Sequence, residues 1–166
     1  MHDNLRYSML VSICHSLSAF FLASYAFLFS RSKYDVLLLG IIYTVALLWS
    51  LYKGECPLSY YLKKYKDPNY VLGSNVYSED IYVVFGPNYV PAMKLFYTIV
   101  NPILQTATIY LLLKRQHFST IVTIMYPLFF YGYYYSTRFL KTDWFSPLFT
   151  LVFAYILYDI FRTKLN

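Results

Sequence analysis

The stretch YSMLVSICHSLSAFFLASYAFLF, residues 7–29, decides the fold class of this chain. It holds no acidic or basic side chain other than His15, and about 20 apolar residues suffice to cross a hydrocarbon core of roughly 30 Å. A second apolar run, VLLLGIIYTVALLWSLY, follows at residues 36–52 after the polar turn Ser30–Asp35. The pair therefore predicts a helical hairpin in a membrane. Because the first run is too long for a signal peptide and Arg31 and Lys33 follow at once, we expect this helix to be retained.

The composition extends this prediction to the whole chain. Hydrophobic residues make up 58% of the 166 residues and charged residues 13%, against about 45–50% and about 25% in soluble domains. A soluble domain of this size has too much surface for its volume to bury so many apolar side chains. We therefore predict a single all-α domain, an integral membrane bundle of about five transmembrane helices at residues 7–29, 36–52, 93–113, 118–135 and 144–161. Pro102 and Pro127 fall inside two of these helices, and we expect Pro102 to kink its helix.

Residues 53–91 differ from the rest and predict a surface loop. They hold four of the eight acidic residues and most of the Gly, Pro and Asn turn signals. Pro57 suits the first turn of a helix, and Asp67-Pro68 would end it. Leu58, Tyr61, Leu62 and Tyr65 then share one face, which predicts an amphipathic helix lying on the membrane with its lysines, including Lys63, toward the headgroups. The later run IYVVF, residues 81–85, fits either a short strand or another interfacial segment.

Charge and aromatic content indicate the partners. The net charge is +6, but the basic residues stand in short groups at helix ends, where they meet lipid phosphates, so we expect no nucleic-acid binding. The 21 tyrosines suit the headgroup level. The run YPLFFYGYYY, residues 126–135, fits either an interfacial aromatic belt or the lining of a quinone, sterol or acyl-chain pocket. Contacts with membrane lipids or partner subunits are expected at Cys56, Tyr61, Lys63, Lys64, Tyr65, Tyr133 and Tyr134.

Candidate chemistry inside the helices is sparse. An intramembrane histidine is a proton-relay or ligand candidate, but the serines around His15 favour a neutral, hydrogen-bonded side chain. Asp159 stands one turn before Arg162, which predicts an interfacial ion pair. Cys56 is a juxtamembrane palmitoylation candidate, and it has no Cys or His at zinc-ligand spacing. Because catalytic and cofactor motifs are missing from the sequence, we predict a non-enzymatic protein with no cofactor and no metal.

Two short segments carry a resemblance. KGECPLSYY at residues 53–61 and DPNYVLG at residues 67–73 resemble a loop in small multi-span membrane proteins of large nucleocytoplasmic DNA viruses. The resemblance implies a component of a virion or viral-factory membrane and assigns no functional residue. We therefore expect a structural subunit or anchor of a large assembly, such as a virion inner membrane and capsid. Two alternatives stay open: an accessory subunit of an organellar respiratory or ATP synthase complex in the mitochondrial inner membrane, or a lipid-modifying or lipid-binding membrane protein.

Overall fold

The computed structural model describes residues 2–77, 84–140 and 145–165. The helices are α1 (His2–Leu28), α2 (Asp35–Leu51), α3 (Pro57–Lys66), α4 (Val90–Arg115), α5 (Thr120–Tyr135) and α6 (Ser146–Leu165), with a 3₁₀ turn at Pro87–Tyr89. These residues contain no strand, so the all-α prediction is confirmed. Of the predicted strand or interfacial segment at residues 81–85, Val84 and Phe85 are helical and the other three lie outside the described residues.

The five long helices form an antiparallel bundle in which α2 packs on α6 and α4 packs between α1 and α5. At one end of the bundle, here called the turn end, the last residues of α1 and α4 and the first residue of α2 lie close together. Arg115 donates from Nη1 to the Phe29 carbonyl at 2.9 Å, and Gln116 donates from Nε2 to Asp35 Oδ2 at 3.1 Å. The opposite end, the cap end, carries residues 53–77, which we call the cap. Ser146 at the start of α6 hydrogen-bonds to the Ser50 carbonyl there.

The core of the bundle is built mainly from large side chains. Tyr43 on α2 is fully buried, and its ring meets Tyr126, Phe130 and Phe153 at centroid distances of 6.3, 6.5 and 6.0 Å. Such tilted and edge-on arrangements are favourable for aromatic pairs. The chain has only 5 glycines, so close backbone approach through small residues is rare and bulky side chains fill the space between helices.

Proline shapes α4 differently from a simple kink. Residues Phe96–Val100 form a π-helical turn directly before Asn101–Arg115, whose second residue is Pro102. Because proline has no N–H and its ring crowds the preceding turn, the wider turn accommodates it without ending the helix. A second π-helical turn, Ser136–Leu140, continues α5 toward the cap.

The outward faces of the long helices are apolar. Each carries large exposed side chains, among them Leu17, Leu37, Ile103, Ile121 and Leu151. Two of the described helices, Met9–Leu28 and Val90–Arg115, are long and apolar enough to cross a membrane, and Asp35–Leu51 is a shorter apolar helix.

The predicted ion pair between Asp159 and Arg162 is not formed. Asp159 faces α5, where its Oδ2 accepts a hydrogen bond from the Tyr126 hydroxyl at 2.6 Å. Arg162 is exposed. Helical spacing brought the two residues within reach along α6, but the neighbouring helix supplied a closer partner for the carboxylate.

Candidate functional site

A buried ion pair organises the cap. Lys63 Nζ lies 2.6 Å from Glu55 Oε1, and the two side chains are 5% and 0% exposed. The ammonium group also donates to the carbonyls of Asn75 and Tyr77, each at 2.6 Å. Its three N–H donors therefore meet three close acceptors, as a buried charge requires.

The Glu55 carboxylate, like the Lys63 ammonium, has hydrogen-bond partners for its polar atoms. Its Oε1 accepts a hydrogen bond from the Tyr70 hydroxyl at 2.9 Å, and its Oε2 accepts one from the Gly73 amide at 3.1 Å. The amide of Asn75 in turn donates to the Tyr70 hydroxyl at 3.1 Å. The network ties the start of α3 to the chain that returns beneath it, so the cap has a fixed shape.

The predicted helix at Pro57 is present as α3, with proline in its first turn. Tyr61 and Tyr65 point outward and are 60% and 72% exposed, while Lys64 is half-buried and donates to the Tyr70 carbonyl at 3.1 Å. The prediction that Lys63 lies toward the headgroups is wrong. The face pattern places Lys63 away from the apolar residues, but that side of α3 rests on the cap interior, where Glu55 holds the ammonium.

Arg138 fastens the cap to the bundle. From the π-helical turn after α5, its guanidinium donates to the Val76 carbonyl and, at 3.3 Å, to the Gly54 carbonyl. It also stacks near the rings of Tyr77 and Tyr134, at 5.6 and 5.3 Å from their centroids. These contacts close one wall of a cavity between the cap and the helix ends.

This cavity has a volume of about 60 Å³. Its walls come from α1, α2, α4, α5, the π-helical turn after α5 and the cap. Its polar lining includes His15, Trp49, Cys56, Asn101, Gln105 and Arg138. Sequence reasoning did not group these residues, because they are scattered over the chain and share no spacing. The arrangement follows from the packing of the helices against one another and against the cap.

A hydrogen bond joins Cys56 Sγ and His15 Nε2 at 3.3 Å, although the residues are 41 positions apart in the chain. Burial raises the pKa of the Cys56 thiol, but the hydrogen bond and charge of His15, together with the first-turn amides of Ser59 and Leu58, outweigh it and lower that pKa overall. The sequence predicts a neutral His15 that is hydrogen-bonded near the serines around it, and this prediction does not include the contact with Cys56. Both Cys56 and Cys14 are free thiols.

Three buried polar atoms in the lining have no hydrogen-bond partner among the described residues: Trp49 Nε1, Asn101 Oδ1 and Gln105 Oε1. Leaving such a group unsatisfied costs about 1–3 kcal/mol, so buried polar atoms of this kind are normally met by water or by a ligand. The described part of the chain has no group of three or more His, Cys, Asp or Glu side chains that could hold a metal ion. The cavity therefore suits a small polar molecule.

Tyr133 and Tyr134 lie inside the bundle, at 1% and 5% exposure. The expectation that they contact lipid or a partner subunit is therefore corrected, since their rings face neighbouring helices. Tyr134 lines the cavity and donates a hydrogen bond to the Tyr97 carbonyl. The same aromatic run does present Tyr131 and Tyr135 on the outer surface, because a helix turns residues two apart to different sides.

The chain matches no protein-family model, no curated protein and no solved structure. Its function is therefore argued from the bundle, the cap and the cavity. Of the predicted contact residues, Tyr61 and Tyr65 lie exposed on the cap, Lys64 and Cys56 are half-buried, and Lys63 belongs to the ion pair.

Proposed function

We propose that the chain is a five-span integral membrane protein that acts as a structural subunit or anchor of a larger membrane-associated assembly. The observation that carries this proposal is the exposed apolar surface on the outer face of every long helix. In water such a surface would drive association, whereas lipid tails solvate it. The described ion pair lies in the cap, away from those faces, as a bilayer requires.

The helix lengths are compatible with a bilayer. The 17 residues of α2 rise about 25 Å, slightly less than a core of roughly 30 Å. Lysines and arginines stand at both ends of the bundle, such as Lys33 and Lys114 at the turn end and Lys53 and Lys94 at the cap end. Their long stems extend the apolar length and place the charges at the headgroups.

The cap is the element we assign to partner contact. Its backbone is fixed by the ion pair of Glu55 and Lys63, and its outer surface presents Tyr61, Tyr65 and Val71 at 60, 72 and 68% exposure. Tyrosine is enriched in protein interfaces, because a rigid aromatic ring contributes contact area at low entropic cost. The resemblance of residues 53–61 and 67–73 to viral multi-span proteins supports a virion or viral-factory membrane as the setting.

The crossing of the bilayer by α2, on which the five-span arrangement depends, is tested by labelling single cysteines from one side of a sealed vesicle. In a chain with Cys14 and Cys56 changed to serine, a cysteine replaces either Lys33 at the turn end or Asn69 in the cap. We expect a membrane-impermeant maleimide to label one of the two only after the vesicles are permeabilised. Equal labelling of both from the same side would refute the five-span arrangement.

The assembly role is tested by purifying the tagged chain from its own membranes in mild detergent. We expect partner proteins in fixed stoichiometry, and a Tyr65→Ser, Val71→Ser double variant should recover several-fold less of them. Lys33→Ser, at the opposite end, is the matched control and should retain them. A stable monomer carrying lipid or quinone would refute the structural role and favour the lipid-binding alternative. Recovery of respiratory or ATP synthase subunits would instead assign the organellar setting.

A further inference from the structure

The cavity between the cap and the helix ends is not needed for partner contact, yet it gathers a thiol, an imidazole and two amide oxygens that have no donor in the described part of the chain. Its volume of about 60 Å³ exceeds the roughly 10–15 Å³ that one water molecule needs. A guest of two or three heavy atoms therefore fits within this space.

We propose that this cavity admits a small hydroperoxide, of the size of hydrogen peroxide, and that Cys56 is oxidised there to a sulfenic acid. The proposal goes beyond the structural role and does not depend on it. Its geometric basis is the 3.3 Å contact between Cys56 Sγ and His15 Nε2 beside two buried amide oxygens that have no donor among the described residues.

The unpartnered atoms complement a hydroperoxide. Asn101 and Gln105 are 3% and 4% exposed, and their side-chain oxygens line the cavity without a donor among the described residues. Each of these oxygens accepts one O–H hydrogen bond, and hydrogen peroxide has two O–H donors. The Trp49 indole N–H, which also lacks an acceptor there, donates to a peroxide oxygen.

The reaction balances with the groups present. The Cys56 thiolate attacks one peroxide oxygen, so an S–O bond forms and the O–O bond breaks. The sulfur is oxidised by two electrons and the peroxide is reduced. The imidazolium of His15 gives its proton to the departing hydroxide, which leaves as water, and a neutral imidazole remains beside Cys–SOH. Sulfenic acid is the first, reversible step of cysteine oxidation.

The charged and titratable groups that line the cavity beside the thiol are His15 on α1, Arg138 on the turn after α5, and the phenols of Tyr77, Tyr97 and Tyr134. Of these, His15 favours the ionised thiol through its hydrogen bond and charge, as in known reactive cysteines. The lowered pKa of Cys56 agrees with this arrangement.

The test measures sulfenic acid on the full chain in detergent, using dimedone and hydrogen peroxide with mass spectrometry of the labelled site. We expect peroxide-dependent labelling of Cys56 and none above background at Cys14, which lies on the outer face of α1. An unperturbed thiol with pKa near 8.5 is only about 3% ionised at pH 7. Cys56 should therefore react about tenfold faster than it does in the same chain unfolded in SDS, and its rate should reach half-maximum at a lower pH.

Two variants separate the thiol pair from the cavity. His15→Gln should slow labelling about tenfold and move the half-maximal pH upward. Ala19→Leu fills the cavity from its wall and should slow labelling by peroxide, whereas Ala154→Leu on the exposed face of α6 should leave it unchanged.

The wild-type measurements need no variant to fold, so they decide the proposal by themselves. Cys56 labelled no faster in the folded chain than in SDS, or with the same pH profile in both, would overturn it. So would an acyl thioester on Cys56 in the protein isolated from its membrane, which would assign lipidation instead. Failure of partner recovery, by contrast, bears on the structural role alone.

Discussion

Replacing Lys63 by methionine tests whether the buried ion pair holds the cap in place. Methionine keeps the length and apolar stem of the side chain but removes the ammonium. Glu55 then stays fully buried with only the Tyr70 hydroxyl and the Gly73 amide as donors. Removing one partner of a buried pair costs about 3–5 kcal/mol. Because Glu55 keeps two donors, we expect the lower end, about 3 kcal/mol.

This loss should appear as local opening of the cap rather than as unfolding of the bundle, since the hydrogen bonds of the ion pair among the described residues all go to cap residues. The rate of chymotrypsin cleavage measures this opening, because the protease cleaves after the cap tyrosines and its specificity does not depend on the lysine that is replaced. When opening and closing are fast relative to cleavage, the rate follows the open population. A loss of about 3 kcal/mol then raises the initial cleavage rate about 100-fold.

The matched control is Lys33→Met, the same change at an exposed lysine of the turn end, which should alter stability by no more than about 0.5 kcal/mol. A second control changes both partners, Glu55→Leu with Lys63→Met. If the charges act as a pair, the double variant is less destabilised than the sum of the two single variants. Cleavage of Lys63→Met within twofold of the wild-type rate would refute the reasoning.

Further predictions concern glycine and the α5–α6 contact. Gly54 has a φ of +80°, and an added Cβ would lie 3.1 Å from a neighbouring side chain, so Gly54→Ala should destabilise the cap by about 1–2 kcal/mol, measured by the same cleavage assay. Gly132 lies within α5 and an added Cβ meets nothing within 4 Å; Gly132→Ala should be neutral or stabilising by up to about 1 kcal/mol. A Gly54→Ala variant as stable as wild type would contradict the strained turn. Tyr126→Phe removes the donor to Asp159 and should cost about 1.5–3 kcal/mol, seen as a lower melting temperature in detergent; an unchanged value would show that water replaces the bond.

The helices themselves were predictable, because apolar runs separated by polar turns are a local signal. The boundaries of α2 differ from the prediction by a single residue at each end. The start of α3 at Pro57 could also be predicted, since the fixed φ and missing N–H of proline suit a first turn. The π-helical turn before Pro102 could not be predicted, because a helix can accommodate a proline in several ways and the neighbouring helices decide between them.

What the sequence alone determined is the all-α class, the apolar character of the long helices and the distinct polar segment between α2 and α4. These depend on composition and on spacing within one element. The partners of Lys63, His15 and Asp159 were decided by the tertiary structure. A side chain's face on its own helix says nothing about which group arrives opposite from another part of the chain, and the antiparallel packing brings His15 to Cys56 across 41 positions. The cavity is likewise a product of packing, since it exists only where the ends of several helices meet the cap.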